Sequence, residues 1–286
     1  MLEYFLYILT LVSILGIATM AYNVTAGFAG MFSLAHAGFI GIGAYVSSLL
    51  LLRLNVPFPL ALLAAMAASA FLGSLLASIV ERLRGDTFAV LTLWFAFVVT
   101  LIATNWVSVT RGAYGLAGIP RPDGFETAAA YFFLCVFLLL LSYAVLHQVT
   151  TSPFGRAMAV CRDDEEASLA LGKNVWKVRV IAFVIASAFA GLSGALLASF
   201  IRFINPASFG IPLLAQLLTY LVIGGLASLR GSLLGVLLLI AVREALRFLS
   251  IDPELVGALR EMLLALILIV VVMYRPRGIA GRVDLD

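Results

Sequence analysis

The chain has 286 residues, of which 63% are hydrophobic and only 12% are charged. Soluble domains carry about 25% charged residues, so this composition, with a mean hydropathy of +1.13, excludes an ordinary soluble enzyme. The formal net charge of +3 gives no indication of nucleic-acid binding. The composition predicts an all-α protein whose chain crosses the lipid bilayer many times.

Apolar runs of about 20 residues, long enough to cross the bilayer as helices, follow one another along the chain. Hydropathy and turn residues predict nine helices, with a range of roughly 8–10, in one transmembrane domain over residues 1–286. The predicted crossings are Leu2–Tyr22, Met31–Leu52, Phe58–Val80, Phe88–Val107, Ala128–Val149, Val178–Phe200, Ile211–Ser228, Leu233–Leu249 and Leu255–Tyr274.

Two glycine-rich segments lie in opposite halves of the chain. Thr25–Tyr45 reads TAGFAGMFSLAHAGFIGIGAY, and Gly224–Leu237 reads GGLASLRGSLLGVL. Paired, glycine-interrupted apolar segments are typical of internal repeats and of broken helices that line a transport pathway. Small-residue motifs also recur by chance in glycine-rich bundles, where they allow helices to approach closely. The sequence predicts a repeat with broken helices at these two places.

Four small or polar residues in the glycine-rich or other apolar crossings are the candidates for a substrate pathway. For the histidine, a hydrogen bond to a neighbouring helix is the alternative role. A wide pathway for an apolar substrate needs few polar groups, so we expect steric substitutions to matter more than polar ones. The candidates are Ser33, His36, Gly41 and Thr92.

One polar loop, residues 150–177, concentrates charge between apolar blocks and is predicted to be cytoplasmic, since more than half of all Lys and Arg residues then lie inside. A helix is predicted over Asp163–Leu171, because acidic residues are favoured in the first turn of a helix and Gly172 suits its end. Its glutamates are expected to be exposed, and the loop suits a groove on a cytosolic partner. Its candidate contact residues are Arg156, Asp163, Glu165, Glu166 and Gly172.

Other functional classes lack their expected residues. The chain has no P-loop motif, so it is not expected to bind and hydrolyse ATP through such a loop itself. The only histidines, His36 and His147, and the two cysteines, Cys135 and Cys161, form neither a hydrolytic triad nor a metal-binding pattern. No metal or cofactor is therefore expected on this chain, and a passive channel stays as the alternative to an energised transporter.

The charged loop carries a family resemblance. Glu166-Ala167-Ser168 followed by Gly172 resembles the Glu-Ala-Ala…Gly coupling loop of ATP-binding cassette importer permeases. Within that class the chain is similar to the branched-chain amino acid permeases, and closer to the M-type than to the H-type. The stretches that carry this similarity are Ser152–Arg156, Ala170–Asn174, Ala182–Leu196, Gly27–Tyr45, Leu83–Phe95, Gly115–Pro122, Asn205–Phe209 and Gly224–Gly235.

Two positions depart from the M-type pattern. Ala96-Phe97 stands where the family usually has Gly-Glu, and Thr110-Arg111-Gly112 stands where many relatives have Thr-Gly-Gly. The lost carboxylate and the added arginine leave the substrate open. Urea or another small amide is the alternative to branched-chain or other small hydrophobic amino acids.

The resemblance implies a multi-pass permease subunit in the cytoplasmic (inner) membrane of a bacterium or archaeon. Its implied partners are a second related permease, two cytosolic ATPases that dock on the charged loop and hydrolyse ATP, and an extracytoplasmic substrate-binding protein. The binding protein would contact the loops Arg111–Glu126 and Arg202–Phe209. The chain itself would be a transport subunit and not an enzyme.

Overall fold

The computed structural model describes residues 2–80 and 86–245, together with 262, 265–266, 269–271, 273–274 and 277–281. The described chain is almost wholly helical, and seven of its helices are long and apolar enough to cross a membrane. The helices are α1 (Leu2–Asn23), α2 (His36–Arg53), α3 (Phe58–Val80), α4 (Asp86–Asn105), α5 (Val107–Thr110), α6 (Ala128–Thr151), α7 (Pro153–Asp163), α8 (Glu165–Ala170), α9 (Val175–Ile201), α10 (Ile211–Gly224) and α11 (Leu229–Ala245).

The first seven predicted crossings correspond to these seven membrane-length helices. The eighth prediction, Leu233–Leu249, overlaps α11, whose described part has 17 residues. The ninth, Leu255–Tyr274, lies mostly outside the described residues. An all-α membrane protein is therefore confirmed, and the count of nine stays a prediction.

The centre of the bundle is formed by α2, α3 and α9, which approach closely through small residues. A methyl group added at Gly43 would lie 2.1 Å from the carbonyl oxygen of Gly191, and one at Gly194 would lie 1.9 Å from that of Ile40. In lipid, helix association depends on such close van der Waals packing because burial against lipid tails gives little gain. This packing fixes α2, which carries two of the candidate pathway residues.

At one end of the bundle, the loops before α6 and after α9 pair with each other. Residues Leu116–Ala117 (β1) run antiparallel to Phe203–Ile204 (β2). Since α6 has 24 residues, or about 36 Å at 1.5 Å per residue, this ribbon lies at the opposite end of α6 from the charged loop. The two loops assigned to a binding protein are thus joined into one surface.

Candidate functional site

The chain leaves the helical conformation between α1 and α2. A π-helical turn over Val24–Phe28 follows α1, and α2 begins only at His36, five residues after the predicted start of that crossing. The backbone between them turns on itself, with the amide of Met31 donating to the carbonyl of Thr25 at 2.8 Å. Residues 24–35 are called the first break.

Three of the four candidate pathway residues meet at the first break. The hydroxyl of Thr92, on α4, accepts a hydrogen bond from the amide of Leu34 at 2.9 Å. The hydroxyl of Ser33 accepts one from the amide of Ala35 at 3.2 Å. Thr92 therefore ties the first break to α4 within two residues of both Ser33 and His36.

His36 is buried and contacts α1 through the face of its ring. The ring centroid lies 4.5 Å from that of Tyr22, and the backbone of Ala21 is also near the ring. Within the described residues, neither ring nitrogen of His36 nor the hydroxyl of Tyr22 has a hydrogen-bond partner of standard geometry. Buried polar groups without partners are costly, so this conformation leaves hydrogen-bonding capacity unused beside the first break.

Gly41 lies apart from the other three candidates. A methyl group at this position would lie 3.1 Å from the Cβ atom of Phe209, which ends the short 3-10 turn Pro206–Phe209 before α10. Any larger side chain at Gly41 would therefore press on the segment that leads into α10.

A second break separates α10 from α11 at residues 225–228, and it contacts the end of α1. The side-chain amide of Asn23 donates to the carbonyls of Gly225 and Ser228 at 3.2 and 3.0 Å, and its oxygen accepts from the amide of Ala227 at 2.9 Å. It also donates to the hydroxyl of Ser232 at 2.7 Å. One buried side chain thus connects the two glycine-rich segments in which the sequence predicts a repeat.

Sequence reasoning missed Asn23, although its position held a signal. It is an amide that directly follows the first apolar run and lies two residues before the first glycine-rich segment. Polar residues within membrane segments are rare and pair with other polar groups. Its backbone partner Gly225 lies 202 residues further along the chain, and nothing in the local sequence indicates that the two residues pair.

The charged loop contains two helices instead of the single helix predicted over Asp163–Leu171. Asp163 ends α7, and Asp164 is extended, with a carboxylate that accepts from the amide of Ala167 at 2.9 Å. Aspartate stabilises a helix as an N-cap better than it does within a helix. The prediction was therefore wrong at its start, because the second of two adjacent aspartates caps a new helix.

The predicted end of this helix is confirmed. Gly172 has a φ of +72°, a conformation that favours glycine. The amide of Lys173 donates back to the carbonyl of Ser168 at 3.0 Å. This is the geometry with which glycine commonly ends a helix.

The candidate contact residues of the loop differ in exposure. Arg156, Asp163, Glu166 and Gly172 are exposed. Glu165 instead forms an ion pair with Arg179 of α9 at 3.1 Å, and its side chain is only 25% exposed. The expectation that both glutamates are exposed is therefore wrong for Glu165, which anchors α8 to α9.

Comparison with known proteins assigns the chain to a family. Residues 4–272 match the family described as "Branched-chain amino acid transport system / permease component". The chain belongs to this family. Its members are transport subunits, and the seven membrane-length helices agree with a multi-pass membrane protein.

Individual relatives include both permease types. The LivM permease protein of the high-affinity branched-chain amino acid transport system of Salmonella typhimurium is 31% identical over 95% of this chain and 69% of the relative. The LivH permease protein of the same organism is 29% identical over 100% of this chain and 99% of the relative. A probable LivM permease from Methanocaldococcus jannaschii is 26% identical over 69% of this chain and 61% of the relative. No solved structure matches this chain.

Proposed function

We propose that this chain is an M-type permease subunit of an ATP-binding cassette importer for branched-chain or other small hydrophobic amino acids. It lies in the cytoplasmic membrane of a bacterium or archaeon and holds no cofactor. It pairs with a second related permease, two cytosolic ATPases and an extracytoplasmic binding protein. The observation that carries the proposal is the family match over residues 4–272.

The exposed residues of the charged loop support docking of an ATPase. Arg156 and Asp163 lie on α7, Glu166 lies on α8, and all three are exposed. Two capped helices held to α9 by the Glu165 ion pair give a defined shape instead of a loose linker. A defined polar surface of this kind suits a groove on a soluble protein.

We assign the substrate pathway to the surroundings of the first break. Ser33, His36 and Thr92 supply polar groups there, while Gly41 keeps space beside Phe209. The residues of this segment are buried in the protein, apart from the exposed Gly30 and Phe32 and the partly exposed Phe28 and Leu34. The substrate would pass where backbone groups and small side chains leave room.

A small pocket with a mostly apolar lining lies beside the family departure at Ala96 and Phe97. This pocket, of about 60 Å³, includes Ala96 and Phe97 in its wall. Its side-chain hydroxyl, on Thr100, donates to the carbonyl of its own helix at Ala96, 3.0 Å away. A site for urea would need several free hydrogen-bonding groups. The pocket is lined by Ala37, Leu93, Ala96, Phe97, Thr100, Gly210, Ile211 and Leu214.

Reconstitution of the complete transporter tests the function. The chain is co-expressed with its partner subunits, placed in proteoliposomes with ATP inside, and given labelled leucine or labelled urea with the binding protein outside. We expect two ATPases to copurify with the permease pair and leucine to accumulate. Accumulation of urea without leucine would transfer the proposal to the amide class, and leucine entry without ATP would indicate a passive channel.

A further inference from the structure

One side chain joins the charged loop directly to the first break. Arg162, in the last turn of α7, donates from Nη1 to the carbonyl oxygen of Gly27 at 2.8 Å. Its Nε donates to a carboxylate oxygen of Asp163, also at 2.8 Å. The side chain of Arg162 is 17% exposed, whereas that of Asp163 is 64% exposed. The guanidinium of Arg162 therefore bridges the backbone of the first break and the exposed Asp163 of the loop.

The backbone of the first break is shaped to receive this side chain. Gly30 has a φ of +69°, which favours glycine. A methyl group at Gly30 would lie 2.5 Å from Cγ of Arg162. The arginine stem thus lies directly on the break backbone, in space that any other residue at position 30 would occupy.

The contact continues from the first break to the second. A methyl group at Gly27 would lie 1.9 Å from the side-chain oxygen of Asn23 and 2.4 Å from the amide nitrogen of Ala227. Asn23 in turn holds the carbonyls of Gly225 and Ser228. Gly27 therefore packs directly against Asn23 and Ala227, and so connects the first break with the second.

We propose that Arg162 is the positioning residue that couples movement of the charged loop to the two breaks. This inference rests on the proposed function, because it takes the ATPase as the partner that moves the loop. The bond from a guanidinium to a buried carbonyl is charge-assisted and strong, whereas an exposed ion pair such as that with Asp163 is weak. A partner that engages Asp163 therefore moves α7 without detaching Arg162 from Gly27, and the first break follows.

The planar guanidinium explains why lysine is a poor substitute. It donates in two fixed directions at once, and Arg162 uses them for Gly27 and Asp163. A lysine ammonium keeps the charge but has a flexible stem and no fixed fork. Arg162→Lys should retain part of the coupling, and Arg162→Gln should lose it.

The test uses the complete transporter in lipid nanodiscs and a labelling site at the first break. Phe32, which is 41% exposed, is replaced by cysteine, and background labelling is low because Cys135 and Cys161 are buried. The labelling rate of Phe32→Cys is measured with and without ATP in otherwise wild-type, Arg162→Gln and Arg162→Lys chains. The matched control is Lys177→Gln, which removes one exposed positive charge from the same charged loop.

We expect ATP to change the labelling rate in the wild type and the control, but not in Arg162→Gln. The Arg162→Gln transporter should still bind two ATPases and hydrolyse ATP at its basal rate. Its stimulation by the loaded binding protein should fall by about tenfold, within the usual range of coupling between sites. In Arg162→Lys, the labelling change and the stimulation should be intermediate between those of the wild type and Arg162→Gln. If Arg162 only stabilised the fold, a variant that assembles normally would not show such a partial loss.

Gly30→Ala supplies a second variant in case Arg162→Gln does not assemble. It keeps the guanidinium but displaces its stem, so it should uncouple in the same way. Wild-type labelling changes and stimulation in either assembled variant would overturn the inference. If the wild type responds to ATP but takes up no amino acid, the proposed substrate fails while the role of Arg162 stands.

Discussion

Asn23 shows how one buried amide can hold two distant segments. Its side chain satisfies backbone groups of residues 225–228, which the gap between α10 and α11 leaves outside any helix. Most of these residues are buried in the protein, where an unpaired backbone group is costly. The second break is also held from its other side, where the amide of Ile279 donates to the carbonyl of Ile223 at 2.9 Å.

The Asn23→Ala variant should be destabilised and inactive. Each backbone group left buried without a partner costs about 1–3 kcal/mol, and the alanine leaves several. We expect a lower thermal unfolding temperature in detergent and lost leucine uptake. Asn105→Ala is the matched control, since that exposed side-chain amide donates to the carbonyl of Leu101 in its own helix. An equal loss in both variants would contradict a special role for Asn23.

At the pathway, a steric change should have a larger effect than a polar one. Gly41→Leu forces side-chain atoms against Phe209, which is already 3.1 Å from the position of an added methyl group, and overpacking costs about 1–3 kcal/mol. His36→Gln removes a ring that contacts Tyr22 but keeps hydrogen-bonding capacity. We expect uptake of labelled leucine to be abolished by the first and to stay within a few-fold for the second. Normal uptake by Gly41→Leu together with lost uptake by His36→Gln would instead indicate that His36 contacts the substrate.

At the scale of elements, the helices could be predicted and the breaks only in part. Hydropathy identified the seven membrane-length helices because each is a continuous apolar run. It placed the start of the second crossing at Met31, whereas α2 begins at His36, because an apolar non-helical segment and an apolar helix have the same hydropathy. The contacts of Asn23 and Arg162 span 202 and 135 residues, and local patterns contain no information on such pairings.

The charged loop yields a prediction that separates docking from folding. Glu166 is exposed in the first turn of α8, so Glu166→Lys loses only a favourable dipole interaction of about 0.3–1 kcal/mol. We expect it to fold normally but to bind the ATPase weakly, with uptake reduced. Glu165→Lys breaks the ion pair with Arg179 and should loosen α8 itself, detected as faster proteolysis of the loop. Wild-type ATPase binding by Glu166→Lys would exclude α8 from the docking surface.

At the scale of the whole molecule, the two ends of the bundle have different surfaces. One end carries the ribbon of β1 and β2, and the other carries α7 and α8. The first break lies against α7 through Arg162. A movement of the charged loop would therefore act directly on the first break. The opposite end reaches the interior through Phe209, which lies beside Gly41. The first break and α2, which follow each other in the chain, are therefore contacted from opposite ends of the bundle.

The topology follows from these positions and can be tested by labelling single cysteines from each side of the membrane. Tyr114, 89% exposed beside the ribbon, should react only from outside when replaced by cysteine, and Lys173 in the charged loop should react only from the cytoplasm. Positive residues concentrate on the cytoplasmic side, which sets this orientation. A cysteine at Asp284 then decides whether the number of crossings is odd or even. Labelling from the cytoplasm requires an odd number, such as the nine predicted, whereas labelling from outside requires an even number and would contradict the nine-helix prediction.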